Sequence, residues 1–308
     1  MSIFIMISSN SWMGVWIGME LNLLSFLPLI IFFESSFSKE VCMKYFFIQV
    51  LASLWMLFSL FFGSSLGMFI IMICLMTKMG IFPMYFWFPP VCSGLSWMSF
   101  LFLITFQKLS PMFLMKNMLF YIEFDLIMML LLGSLIVGSL GGLSHNFFRI
   151  FLSYSSIHHT GAMIMALMMS SALWLFYMFI YIYINYILIQ NILLSKKEYI
   201  SDFLKGDMKD YIQMFLNLFS LGGFPPLLGF IPKMIIFLML VSVSKFGFAY
   251  VLVVTSGVSL FYYLKMIFSS IMFSYVLYEI SFFLVNFRQM IYFSLIQFSG
   301  LFFLCFLL

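Results

Sequence analysis

The sequence predicts an all-α polytopic membrane protein of about ten or eleven transmembrane helices, on three observations. Charges are scarce, apolar runs have the length of a bilayer-crossing helix, and basic residues gather on alternate loops. Of 308 residues, 65% are hydrophobic, 21% aromatic and 8% charged, with a mean hydropathy of +1.18. A soluble domain carries roughly a quarter charged residues, so this chain cannot cover its apolar surface with a polar shell. A transmembrane helix with its turn takes roughly 25 to 30 residues, which leaves room for helices and little else. The runs lack the two-residue alternation over short segments that a membrane β-barrel requires.

Apolar runs bounded by turn residues predict spans over 11–33, 42–62, 67–88, 96–115, 120–140, 150–170, 172–194, 211–243, 247–273 and 289–308. Residues 1–7 read as the stub of one further helix. The first 33 residues show no basic n-region, Arg/Ser-rich amphipathic stretch or small-residue cleavage pattern, so neither a signal nor a transit peptide is expected. The longest polar stretch, 195–210, reads as a surface loop or short interfacial helix. Alternation of the spans puts Lys39, Lys44, Arg149, Lys196, Lys197, Lys205, Lys209, Lys265 and Arg288 on one face of the membrane. Only Lys116 and Lys245 fall on the other, and nine against two fixes an orientation.

The same composition excludes whole classes of function. No stretch of mixed polarity is long enough for a nucleotide fold, an iron–sulfur domain or a receptor domain. Nucleic-acid binding needs a basic surface that is absent. Cys42, Cys74, Cys92 and Cys305 have no C-x-x-C spacing and read as small hydrophobes, so no metal site is expected.

Four charges remain where lipid disfavours them: Glu20, Lys78, Lys108 and Lys233, each about half a span from a polar boundary. An isolated charge there costs roughly 2.5–3.5 kcal/mol, so the set costs about ten. One carboxylate neutralises one ammonium, and two lysines are left to face water or to lose their protons. Burial disfavours the charged form of an amine, which suits such a lysine to loading and releasing a proton. The competing view is structural ion pairs or lysines snorkelling to the interface, and their depth argues against the latter. Each lysine also adjoins helix breakers: Gly80 and Pro83, Ser110 and Pro111, and Gly222, Gly223, Pro225, Pro226 and Pro232. Interrupted helices at membrane depth line enclosed or watered cavities.

His158 and His159 are adjacent and point about 100° apart on a helix, so they cannot make a bis-histidine haem site alone. His159 is a candidate relay between Lys108 and Lys233, against the plainer role of a neutral, hydrogen-bonded helix histidine.

Five segments share an order and spacing with a known family: WIGMELNLLSFLP, KMGIFPMYFWFP, FQKLSPM, GGLSHNFFRIFLSYSSIHHTG and SLGGFPPLLGFIPKM. Over about residues 11–270 the chain resembles the mitochondrial NADH dehydrogenase (ubiquinone) subunit 2 family, antiporter-like membrane subunits of respiratory complex I. The resemblance implies two inverted five-helix repeats with broken helices. It divides the chain into a truncated first helix over 1–10, a first repeat over 11–115, a second over 116–270 and a C-terminal transmembrane helix over 271–308. It implies that Glu20 pairs with Lys78, that Lys108 is the central lysine, and that Lys233 is the lysine of the second repeat's broken helix. Protons would pass along this axis, driven by quinone reduction elsewhere. NADH, FMN, iron–sulfur clusters and ubiquinone would belong to partner subunits, with no cofactor in this chain. Basic loops would face the mitochondrial matrix and the C-terminus the intermembrane space, the chain contacting lipid and other membrane and peripheral subunits but no nucleic acid. Tyr85, Pro90 and Ile150 depart from the family's usual histidine, acidic and basic residues at those places.

Two other functions compete with proton translocation inside an NADH:ubiquinone reductase. A self-contained cation/proton antiporter would use the same lysines but exchange ions alone. A structural spacer would have no reason to bear the cost of four buried charges.

Overall fold

The computed structural model describes residues 2–9, 11–32, 36–62, 64–119, 121–145, 147–195 and 208–274. Among them there are thirteen α-helices and no strand: α1 (Ser2–Ser8), α2 (Trp12–Ile31), α3 (Ser36–Ser59), α4 (Ser64–Met79), α5 (Phe88–Gly94), α6 (Trp97–Ile104), α7 (Phe106–Met118), α8 (Phe124–Gly141), α9 (Phe148–Met169), α10 (Ser171–Ser195), α11 (Met208–Gly222), α12 (Phe230–Ser242) and α13 (Phe246–Ser274). Six stretches are long and apolar enough to cross a membrane: Trp12–Ile31, Ser38–Ser59, Trp97–Met118, Phe124–Ser144, Ser171–Leu194 and Phe246–Met266. The expected span over 289–308, most of the polar stretch and Arg288 lie outside the described residues.

Three expected spans are interrupted. The run 67–88 is not one helix, because α4 stops at Met79. Gly80 adopts φ +69, its N–H bonds Thr77 O (3.1 Å) and the Ile81 N–H bonds Met76 O (3.2 Å). That pair of bonds is a Schellman stop, which needs a left-handed residue that glycine supplies without strain. The run 96–115 breaks at a single residue, Thr105 (φ −113, ψ −81), dividing α6 from α7. Pro111 stays inside α7 and removes the one bond that Gln107 O would otherwise accept. The run 211–243 breaks between α11 and α12, again after a Schellman stop. Gly223 has φ +82, with Gly223 N–H to Ser220 O (3.2 Å) and Phe224 N–H to Phe219 O (3.2 Å).

The chain divides into two compact units, Met1–Val137 with Ser156–Met168, and Gly138–Ser155 with Met169–Leu308. In the first, α2 packs between α1 and α3, α3 also meets α4 and α5, and α4 meets α7. Gly18 permits the α1–α2 approach, since a Cβ there would lie 2.9 Å from Met6 Cβ. In the second, α11 meets α10 and α13, and α12 meets both as well. Helix α9 is expected as a span over 150–170 but is too polar to count as one by composition. Every residue from 155 to 167 is buried, so protein rather than lipid surrounds its Ser153, Ser155, Ser156, His158, His159 and Thr160.

Candidate functional site

Glu20, Lys78, Lys108 and His159 belong to the first unit, and Lys233 to the second. Lys78 stands in the last turn of α4, one residue before the helix stops. There the negative end of the helix dipole favours a cation. The carbonyl of Lys78, which the stop leaves open, is taken by a neutral donor, Gln49 Nε2 (3.2 Å), and Trp87 Nε1 adds a second bond to Thr77 O (3.0 Å). The ammonium itself is therefore not needed to close the helix.

Glu20 lies on α2 and interacts electrostatically with Lys78, yet the two do not form a contact ion pair. A contact ion pair is seen instead at the exposed Lys44–Glu40 pair, at 2.5 Å. Glu20 Oε1 is buried without a hydrogen-bond partner. The expected pairing is thus a charge–charge interaction across a gap.

Lys108 is the third residue of α7, just past the break at Thr105, and is 2% exposed. Its Nζ donates to Ser156 O (3.3 Å) and Ser156 Oγ (3.2 Å) on α9 and lies 4.6 Å from the Phe88 ring centroid. His159 is three residues beyond Ser156 on α9, hence on the same helical face. His158 and His159 are both buried, with ring centroids 5.6 Å apart and planes at 87°.

Lys78 and Lys108 line one cavity in the first unit, of about 20 Å³, enough for roughly one or two water molecules. Its polar wall is Asn22, Tyr45, Gln49, Gln107 and Ser110, and its apolar wall includes Leu23, Trp87 and Phe88. Asn22 Nδ2 donates to Gln107 Oε1 (2.9 Å) and Ser110 Oγ (3.0 Å), and Tyr45 Oη donates to Gln107 Oε1 (3.4 Å). Sequence reasoning passed over Asn22, Gln107 and Ser156. A signal was available, because polar side chains inside apolar runs, two residues from Glu20 and one from Lys108, carry the same presumption of function as buried charges.

In the second unit, Lys233 is the fourth residue of α12 and is 6% exposed. Its Nζ reaches back across the break to Gly222 O (2.8 Å) and Leu221 O (3.3 Å), the two carbonyls that the Schellman stop of α11 leaves open. Gly223 makes room for it, since a Cβ there would lie 3.1 Å from Lys233 Cδ. A Cβ at Gly229 would overlap Ser220 O at 1.7 Å, so the returning chain can pass only as glycine. The buried lysine is charge-matched to a helix C-terminus.

The family described as NADH:quinone oxidoreductase/Mrp antiporter, TM, matches residues 9–64 and 61–259. NADH-ubiquinone oxidoreductase chain 2 of Locusta migratoria is 35% identical over 286 residues, 88% of this chain and 82% of that protein. Its counterpart in Aedes aegypti is 38% identical over 288 residues, 88% and 83% of the two chains. Among solved structures, a chain of respiratory complex I from Thermus thermophilus superposes with a TM-score of 0.78 at 23% identity. It covers 87% of this chain and 68% of its own. A chain of the Mrp complex from Dietzia sp. DQ12-45-1b gives 0.76 at 15% identity, covering 86% and 57%. At these identities the two likenesses speak to the fold.

Proposed function

Because this chain belongs to the NADH-ubiquinone oxidoreductase chain 2 family, we propose that it is a proton-translocating membrane subunit of NADH:ubiquinone oxidoreductase. Protons move along Glu20, Lys78, Lys108, His159 and Lys233. The observation that supports this most is the cavity shared by Lys78 and Lys108, which puts one half-buried and one buried amine on one small polar space. An amine in such a space exchanges a proton through water, and Glu20 biases which amine holds it. Moving one charge across 100 mV stores about 2.3 kcal/mol, within the reach of two interacting charges in a low dielectric.

The driving step, quinone reduction by NADH, belongs to partner subunits, together with FMN and the iron–sulfur clusters. This chain supplies the buried amines and the helix ends that hold them. We place it in the inner mitochondrial membrane, with Lys39, Lys44, Arg149 and Lys265 on the matrix side. The two repeats, 11–115 and 116–270, each contribute a broken helix with a lysine.

Replacing Lys108 with alanine in the assembled complex tests the route. Proton pumping and quinone turnover are expected to fall together; wild-type stoichiometry and rate would remove Lys108 from the path. A self-contained antiporter would instead exchange cations for protons when this chain alone is placed in liposomes.

A further inference from the structure

The Lys233 ammonium is held by backbone carbonyls, and the nearer of the two, Gly222 O at 2.8 Å, belongs to the first of two consecutive glycines. Glycine leaves the backbone more conformational freedom than any other residue, so the direction of that carbonyl has to be set by what packs on it. Deepening the proton-transfer reading and resting on it, we propose that Tyr263 on α13 is a positioning residue for Lys233. Its ring is the wall that keeps the Gly222 carbonyl aimed at the ammonium.

A Cβ on Gly222 would lie 3.2 Å from Tyr263 Cδ2 and 3.6 Å from Leu260 Cα, so the ring edge fills the place where a side chain at 222 would continue. The next residue is held by the lysine itself, since a Cβ on Gly223 would lie 3.1 Å from Lys233 Cδ and 3.3 Å from its Nζ. The ring in turn is fixed. Tyr263 is fully buried and meets Phe151 of α9 edge to face, with centroids 5.3 Å apart and planes at 83°. Tyr262 meets the same phenylalanine at 5.1 Å and 86°, stands 4.5 Å from the Tyr263 ring, and rests on Gly142, where a Cβ would come within 3.1 Å of it. Edge-to-face contact is a favoured geometry for aromatic pairs, and two tyrosines here clasp one phenylalanine. In a close-packed interior such a ring passes a displacement on and does not absorb it.

A hydrogen bond weakens steeply as donor and acceptor leave alignment. If the Gly222 carbonyl turns, the ammonium loses its nearer acceptor in a site where an unpaired charge is costly. The direction of Gly222 O therefore governs how readily Lys233 gives up the proton it carries, and Tyr263 governs that direction.

Gly222 is the sensitive probe, because the glycines with positive φ are Gly80 and Gly223. Alanine at 222, the last residue of α11, adds no left-handed strain and favours the helix. What it adds is a methyl group against the Tyr263 ring. In the assembled complex, Gly222→Ala should lower the kcat of pump-coupled NADH oxidation per flavin roughly tenfold, with the KM for quinone unchanged. Tyr263→Leu removes the wall and should slow the complex by a similar factor, and Tyr263→Phe, which keeps the ring, should restore the rate. The two slow variants combined should be no slower than either alone, since without the ring the methyl group has nothing to press. A ring that merely filled the core would change the yield and heat resistance of the complex and leave the rate per flavin alone. Where Tyr263→Leu fails to assemble, Gly222→Ala decides. A wild-type rate per flavin in Gly222→Ala, a Tyr263→Phe as slow as Tyr263→Leu, or losses that multiply in the pair overturns the proposal. If Lys233→Met is then inactive, only the role of Tyr263 falls; if Lys233→Met pumps normally, the Lys233 step falls with it.

Discussion

Gly80 and Gly223 end their helices with the same pair of backbone bonds, and the two breaks differ in what takes the carbonyls left over. After Gly80 the taker of the Lys78 carbonyl is neutral, Gln49, and the lysine of that break lines a cavity. After Gly223 the taker is the lysine itself. A buried helix end must satisfy its carbonyls somehow. Where uncharged side chains do so, the ammonium is released for chemistry. Where the ammonium does so, its proton is also part of the fold's hydrogen bonding, and giving it up disturbs α11. The second break therefore couples protonation to structure, and the first does not.

The largest effect that distinguishes the two breaks should come from methionine at each lysine. Lys233→Met leaves Leu221 O and Gly222 O without partners, a loss of about 1–3 kcal/mol for each buried group, partly offset by no longer burying a charge. Lys78→Met orphans no carbonyl and should leave stability unchanged or raised. Both should stop pumping, but only Lys233→Met should lower the yield and heat resistance of the assembled complex. Equal destabilisation would erase the distinction.

The glycines come next. Alanine at either site pays about 1–2 kcal/mol for a left-handed residue with a Cβ. At Gly80 that Cβ would also press the Phe88 ring at 2.6 Å, whereas at Gly223 it meets the flexible Lys233 side chain at 3.1 Å. Thermal inactivation should thus rank Gly80→Ala as the more harmful. Gly223→Ala should add a pumping defect by displacing the ammonium, and a reversed order would mean that the ring yields more easily than the lysine. Ser156→Ala is milder, because Lys108 keeps the Ser156 carbonyl. A loss of about 1 kcal/mol is expected in the same assay.

Much of this was legible. The scarcity of charge exposed Lys78, Lys108 and Lys233, and the Gly and Pro residues beside Lys78 and Lys233 marked real breaks. Pro111 misled, because a proline near the start of a helix removes a single bond and the chain parted instead at Thr105, which carries no breaker signal. Helix α9 looked like any other span, and the burial of its residues 155–167 depends on neighbours distant in sequence. The bond from Asn22 to Gln107 joins residues 85 positions apart, so neither periodicity nor spacing could have shown it.

The smallest effect bears on water. Gln49→Met removes the donor on Lys78 O, and that carbonyl borders a cavity with room for a water molecule to replace it. A water-mediated bond is nearly as good as a direct one, so the cost should stay near 0.5–1 kcal/mol. At the Gly223 break the two open carbonyls are instead taken by the Lys233 ammonium, and its loss orphans both. If Gln49→Met destabilises the assembled complex as much as Lys233→Met, the Lys78 cavity is dry. The two breaks would then differ in the identity of the donor and not in access to water, and a proton could not cross between Lys78 and Lys108 by the route argued above.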